Sequence, residues 1–131
     1  SRFEKESHVK AGEKPYYNLV LLAKDLEGYH NLAYLASKSY TEGFHHKPRI
    51  DFDLLAEKSK GLIALSSGFG GGVWHFLKQG NIERATEHAR QLEEIFGKES
   101  FYIEIQDHNL EEEKQSDWLR LRHKTKAKVI Y

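Results

Sequence analysis

Apolar residues fall in short clusters along the chain, separated by charged and glycine-containing stretches. Ser1–Lys14 is polar, with Gly12 and Pro15 near its end, and residues 1–15 read as an extended lead-in. The apolar run from Asn18 to Ala23 predicts a buried parallel strand. Leu26, Tyr29, Ala33, Ala36 and Tyr40 then recur at helical spacing behind Asp25, a good N-cap residue, and Gly43 ends that helix. Lys47-Pro48-Arg49 is an extended connector, because the residue before proline is pushed out of the helical region. Asp51 caps a short helix over Phe52–Lys58, with Leu54, Leu55 and the Ala56 side directed inward. Gly61 closes it, and Leu62–Leu65 is a second short strand.

Glycines at 68, 70, 71 and 72 interrupt regular structure before a short helix, Val73–Gln79, closed by Gly80. The clearest helix is Asn81–Phe96. Asn81 caps it, Glu83 favours the positive end of its dipole, and Gly97 stands where a terminating glycine belongs. Its apolar stripe is Ile82, Ala85, Ala89, Leu92 and Ile95, with Phe96 alongside. Phe101–Ile105 alternates as a third strand, Leu110–His123 is a charged helix, and Ala127–Tyr131 a fourth strand. Strands alternating with helices of this length make an α/β protein built of βα units around a short parallel sheet, a single domain over residues 1–131. Four strands cannot close a filled barrel, so open strand edges are expected, and with them self-association.

Composition narrows the class. Lys plus Arg and Asp plus Glu each number 20, so the formal net charge is zero, without the basic excess of a dedicated nucleic-acid binder. The one basic cluster is C-terminal: Arg120, Arg122, His123, Lys124, Lys126 and Lys128. It reads as a solvated helix end, with Arg120, Arg122 and Lys124 the nucleic-acid candidates and binding by this chain weak or absent. The absence of Cys excludes disulfides and thiolate metal sites. No apolar run approaches the roughly 20 residues that span a bilayer, and no export signal opens the chain, so a cytoplasmic protein without membrane contact is expected. Met is absent, even at position 1, so the native start is expected to be missing, through processing or excision from a larger chain, which favours reading the chain as a piece of a longer one.

Candidate chemistry is sparse. His45 and His46 are adjacent, so they diverge on either a strand or a helix and do not chelate one ion. Glu104, Asp107 and His108 stand at the end of the third strand, where a barrel places its active site, and are the best pocket candidates. A capping Asp and a hydrogen-bonded His account for the same residues. His8, His30, His75, His88 and His123 read as surface or helix-face residues. The GFGGG segment has the glycine content of a phosphate-binding loop but neither the Gly-Lys-Ser/Thr ending nor the spacing of a dinucleotide site, so it reads as a strand-to-helix turn. Ser66 and Ser67 lie in no nucleophile elbow. Tyr16, Tyr17, Trp74 and Trp118 are too dispersed for a base-stacking platform.

Several longer pieces occur together in order: YYNLVLLAKDLEGYHNL, YTEGFHHKPRID, GLIALSS, EEIFG and FYIEIQDHNLEEEKQ. In these the chain resembles an internal segment of the PHP (polymerase and histidinol phosphatase) domain of bacterial DNA polymerase III alpha subunits. The resemblance implies part of a distorted (β/α)7 barrel in a parent DNA-directed DNA polymerase, a nucleotidyltransferase of replication. It implies the rest of that polymerase and other replisome subunits as partners. In many members the barrel's strand ends bind Mn, Zn or Mg, for phosphoesterase chemistry of the proofreading or pyrophosphatase type.

The resemblance also implies departures. The family's opening His-x-His and closing Asp-x-His motifs fall outside Ser1–Tyr131. A ligand His position of the family is Asn18 here, a ligand Cys position is Gly68, and a following acidic position is Gly72. No metal ligand or cofactor is therefore expected in this chain, and the expected role is structural or interactive, without activity of its own. The alternative is a remnant metal-dependent phosphoesterase built on Glu104, Asp107 and His108.

Overall fold

Three side chains decide where helices begin. Asp25 accepts a hydrogen bond from the Gly28 amide at 2.7 Å and starts α1 (Leu26–Thr41). Asp51 accepts from the Leu54 amide at 2.8 Å and starts α2 (Phe52–Glu57). Asn81 accepts from the Arg84 amide at 3.1 Å and starts α4 (Ile82–Phe96). Each cap satisfies a donor that the first helical turn leaves without an intrahelical partner. The remaining helix, α3 (Gly72–Lys78), follows a 3-10 turn over Gly68–Gly70. In this computed structural model, residues 16–44, 47–105 and 128–130 are described.

Among the described residues, β1 (Val20–Ala23), β2 (Leu62–Leu65), β3 (Phe101–Glu104) and β4 (Lys128–Ile130) form one sheet in that order. β2 and β3 run parallel, with Ala64 opposite Phe101 and Leu65 opposite Tyr102. β3 and β4 also run parallel, with Ile103 opposite Val129. The helices α3 and α4 between β2 and β3 supply the crossover that parallel pairing requires. The architecture is mixed α and β around a small sheet. The lead-in over residues 1–15, the charged helix over 110–123, Trp118 and the basic side chains from Arg120 to Lys126 lie outside the described residues, and Lys128 opens β4.

The chain divides into two compact units, Ser1–Tyr17 with Leu22–Leu62, and Asn18–Leu21 with Ile63–Tyr131. In the first, α1 approaches the segment entering β2 so closely that a Cβ on Gly28 would lie 1.8 Å from the Gly61 carbonyl oxygen. The Lys24 amide donates to that oxygen at 2.9 Å, and Asn31 Nδ2 donates to the Lys60 carbonyl at 2.8 Å. The face of α1 carrying Gly28, Asn31 and Leu35 is thus the inner one, and Leu35 is buried with Leu54, Leu55 and Leu62. The stripe whose spacing predicts the helix lies opposite and stays in solvent: Leu26 is 71 % exposed, Tyr29 61 % and Tyr40 65 %. Ala56 is exposed too, contrary to the inward reading, because α2 buries only Leu54 and Leu55.

The predicted burial of the first strand also fails. β1 is terminal in the sheet order, and both Val20 and Leu22 are exposed. An apolar run fixes a strand's type but not the presence of a second neighbour.

In the second unit α3 packs on α4, and α4 on β3. Val73, Trp74, Phe76 and Leu77 of α3 are buried, as are Ala85, Ala89 and Leu92 of α4. Alternate residues Ala64, Phe101 and Ile103 carry the core through β2 and β3. Small alanines on α4 opposite large α3 side chains allow close helix contact, and burying each large side chain stabilises by roughly 1.5–3 kcal/mol.

Candidate functional site

The segment between β2 and α3 is where chain, glycine content and chemistry converge. The Ser66 amide donates to the Tyr102 carbonyl at 3.1 Å, and Ser66 Oγ accepts from the Glu104 amide at 2.9 Å. Both contacts anchor the turn to β3. Ser66 is buried, so its hydroxyl is a structural clamp rather than an available nucleophile. Ser67 has φ 64°, in the left-handed region where a side chain carries strain of about 1 kcal/mol or more.

Crowding explains the glycines that follow. A Cβ on Gly71 would lie 1.8 Å from the Ser66 carbonyl oxygen, one on Gly70 2.5 Å from Asn18 Nδ2, and one on Gly72 2.4 Å from His88 Nε2. The glycine run is a packing requirement of three neighbours. As the sequence reading has it, it is a strand-to-helix turn.

Asn18, distant in sequence, reaches this turn directly: its amide donates to the Gly70 carbonyl at 2.9 Å, and its side-chain amide lies against Gly70. The turn's first glycine is Gly68. Asn18 and Gly68, singled out separately in the sequence, therefore belong to one local structure. An amide and a residue with no side chain make a poor donor pair for a transition metal. Among the described residues, no three of His, Cys, Asp and Glu converge as a metal-binding group.

His88 is the residue that sequence reasoning missed. It reads as a helix-face position, yet it is half-buried beside Gly72 and the Phe76 ring, with centroids 6.0 Å apart. Burial, assisted by the positive charge of Arg84, pushes its pKa down to about 4, so the imidazole is neutral near pH 7. The Arg84 guanidinium lies over the Phe76 ring at 5.0 Å. The available signal was its place on the flank of the Ala85–Ala89–Leu92 stripe, combined with a glycine where a neighbour must approach.

Glu104 ends β3, half-buried, with its backbone tied to Ser66. Its proposed companions Asp107 and His108 lie outside the described residues, as do Arg120, Arg122, Lys124 and the pair His45-His46. Among the described residues, no helix is long and apolar enough to cross a membrane.

Residues 4–108 match the PHP domain family. The chain belongs to that family. As a PHP domain it is similar to DNA polymerase III subunit alpha of Treponema pallidum, 46 % identical over 115 residues, which are 88 % of this chain and 10 % of that protein. The subunit of Deinococcus radiodurans is 46 % identical over 111 residues, 85 % of this chain and 8 % of that protein. That of Thermus aquaticus is 44 % identical over 115 residues, 88 % of this chain and 9 % of that protein. The chain thus spans about a tenth of the length of these bacterial relatives. The turn that joins Asn18 to Gly68–Gly72 lies inside the matched PHP region.

Proposed function

We propose that this chain is a segment of the PHP domain of a bacterial replicative DNA polymerase, with a structural and interaction role and no metal chemistry of its own. One observation carries the reading. Asn18 and the turn opened by Gly68 are neighbours, and these are positions where the family resemblance puts a ligand His and a ligand Cys. Their replacement by an amide and a glycine removes two imidazole- or thiolate-type donors from one place. The domain would form part of a distorted (β/α)7 barrel in its parent. The parent's activity would be DNA-directed DNA synthesis in the cytoplasm, with the remaining polymerase and replisome subunits as partners. The identities of 44–46 % to DNA polymerase III alpha subunits support that assignment.

The test is thermal unfolding, followed by far-UV circular dichroism, with and without Mn²⁺ or Zn²⁺. A metal bound only by the folded state raises Tm. A cooperative transition unmoved by either metal is expected; a clear rise would overturn the metal-free reading. A second reading, a remnant metal-dependent phosphoesterase, draws support from the junction of Ser66 with Glu104 at the C-terminal ends of parallel strands, where α/β sheets tend to place ligands. Mn²⁺-dependent hydrolysis of bis(p-nitrophenyl) phosphate that disappears in Glu104→Gln would move that reading ahead.

A further inference from the structure

We propose that Tyr40 and Phe44, at the C-terminal end of α1, are a stacking platform for the unpaired bases of a single-stranded nucleic acid, with Lys47 and Arg49 contacting its phosphates. Phe44 follows Tyr40 by four residues, so the two rings stand on the same side of the helix end. The amides of Glu42 and Gly43 both donate to the Lys38 carbonyl, at 2.9 and 3.2 Å, which closes the helix and fixes where Phe44 leaves it. The rings stack with centroids 6.4 Å apart and planes at 18°. Tyr40 is 65 % exposed and Phe44 58 %, so the pair is open to solvent rather than packed into a core.

Spacing and charge select the ligand. Bases in a stacked strand repeat every ~3.4 Å. One base held between two rings therefore spans ~6.8 Å, close to the separation of these two. A base added to the outside of the pair meets the same near-parallel planes. Every nucleobase has a face to stack, so such a platform demands no particular sequence. The charge placed beside the rings is positive. Arg49 Nε donates to the Gly43 carbonyl at 3.5 Å, which brings the guanidinium to the residue before Phe44. Lys47 lies three residues beyond Phe44, within about 11 Å of chain, and its ammonium stands over the Tyr16 ring at 5.3 Å. The carboxylates neighbouring in sequence are engaged: Glu42 pairs with Lys38, and Asp51 accepts from the Leu54 amide. All of these groups belong to the first compact unit. Two cations beside two open rings complement a planar group joined to an anion. They repel an arginine-bearing peptide, which could otherwise stack on the same rings. A duplex keeps its bases paired and stacked on one another, so it cannot use the rings without unstacking.

Fluorescence anisotropy at low salt, with a labelled oligo-dA strand and a labelled duplex of equal length, tests this. The single strand is expected to bind at least ~tenfold more tightly than the duplex. Tyr40→Ala combined with Phe44→Ala should weaken single-strand binding by about 5- to 150-fold, the usual effect of losing one stacked base. Tyr40→Phe keeps the ring and should bind as wild type does. Tyr29→Ala, on the same helix and 61 % exposed but outside the cluster, should also leave the affinity unchanged. Lys47→Gln should flatten the slope of log affinity against log salt by about 0.7. AMP as a competitor should need at least ~100-fold higher concentration than the unlabelled strand, because only the strand offers several linked contacts. Equal potency of AMP would overturn the strand in favour of a free nucleotide. No binding of the single strand, unchanged affinity in the double alanine variant, or an equal loss in Tyr29→Ala would overturn the platform itself.

Discussion

Acidification from about pH 7.5 to about pH 4.5 should weaken folding through His88. Its imidazole sits beside Gly72 and the Phe76 ring, and burial first and the Arg84 charge second lower its pKa from 6.5 to about 4. Above pH 6.5 neither the folded nor the unfolded chain protonates it, and the native state carries no penalty. Between 6.5 and 4 only the unfolded chain takes up the proton, so stability falls steadily as pH drops. Below about 4 both states bind it and the loss stops growing. At about 1.4 kcal/mol for each pKa unit, the full difference corresponds to at most about 3.4 kcal/mol. Part of the ring reaches water, and solvent screening reduces the expected loss to about 2 kcal/mol. That is a large share of the roughly 5–15 kcal/mol by which domains are stable. Urea unfolding at a series of pH values, on wild type and His88→Gln, measures it. Gln keeps a polar side chain but does not titrate, so wild type should lose about 2 kcal/mol more than the variant over this range. Parallel pH profiles, or an NMR titration that puts the His88 imidazole near 6.5, would refute the reasoning.

Gly28→Ala forces a methyl group against the Gly61 carbonyl and should destabilise by about 1–3 kcal/mol, read as a lower urea midpoint; an unchanged midpoint would show that α1 does not rest on that segment. The neutral chain should bind duplex DNA weakly or not at all near physiological salt, and any binding seen by fluorescence anisotropy at low salt should fall when Arg120→Ala and Arg122→Ala are combined. Binding that is tight and indifferent to salt would contradict the charge argument.

The helix starts were legible because capping is local: Asp25, Asp51 and Asn81 each announce a helix and each makes its expected hydrogen bond. The parallel pairing of β2, β3 and β4 was legible because alternating strands and helices admit few other arrangements. The PHP resemblance was legible in motifs long enough to be specific, and the family match over residues 4–108 bears it out. Burial was harder to read. Periodicity in α1 identifies an apolar face but cannot say that Gly28, on the other side, admits the backbone of Gly61 and so turns that face outward. The run in β1 reads as buried for the same reason: its neighbours are a property of the whole sheet. At the candidate site, Asn18 and Gly68 were legible as positions but not as neighbours, since the Asn18–Gly70 contact is long-range. His88 escaped because its neutrality depends on surroundings contributed by α3.

The contact between Gly72 and His88 also bears on how this turn could be redesigned. Position 72 is where the family resemblance puts an acid, and any side chain there begins with a Cβ 2.4 Å from His88 Nε2. An acid introduced at 72 therefore meets a ring already packed on Phe76, and needs His88 to shrink or swing away. The order of substitutions matters: replacing His88 first makes room at 72, whereas a side chain placed at 72 first has to displace the ring. The imidazole stands in the space that any side chain at 72 needs, so the two positions are coupled and neither can be redesigned alone.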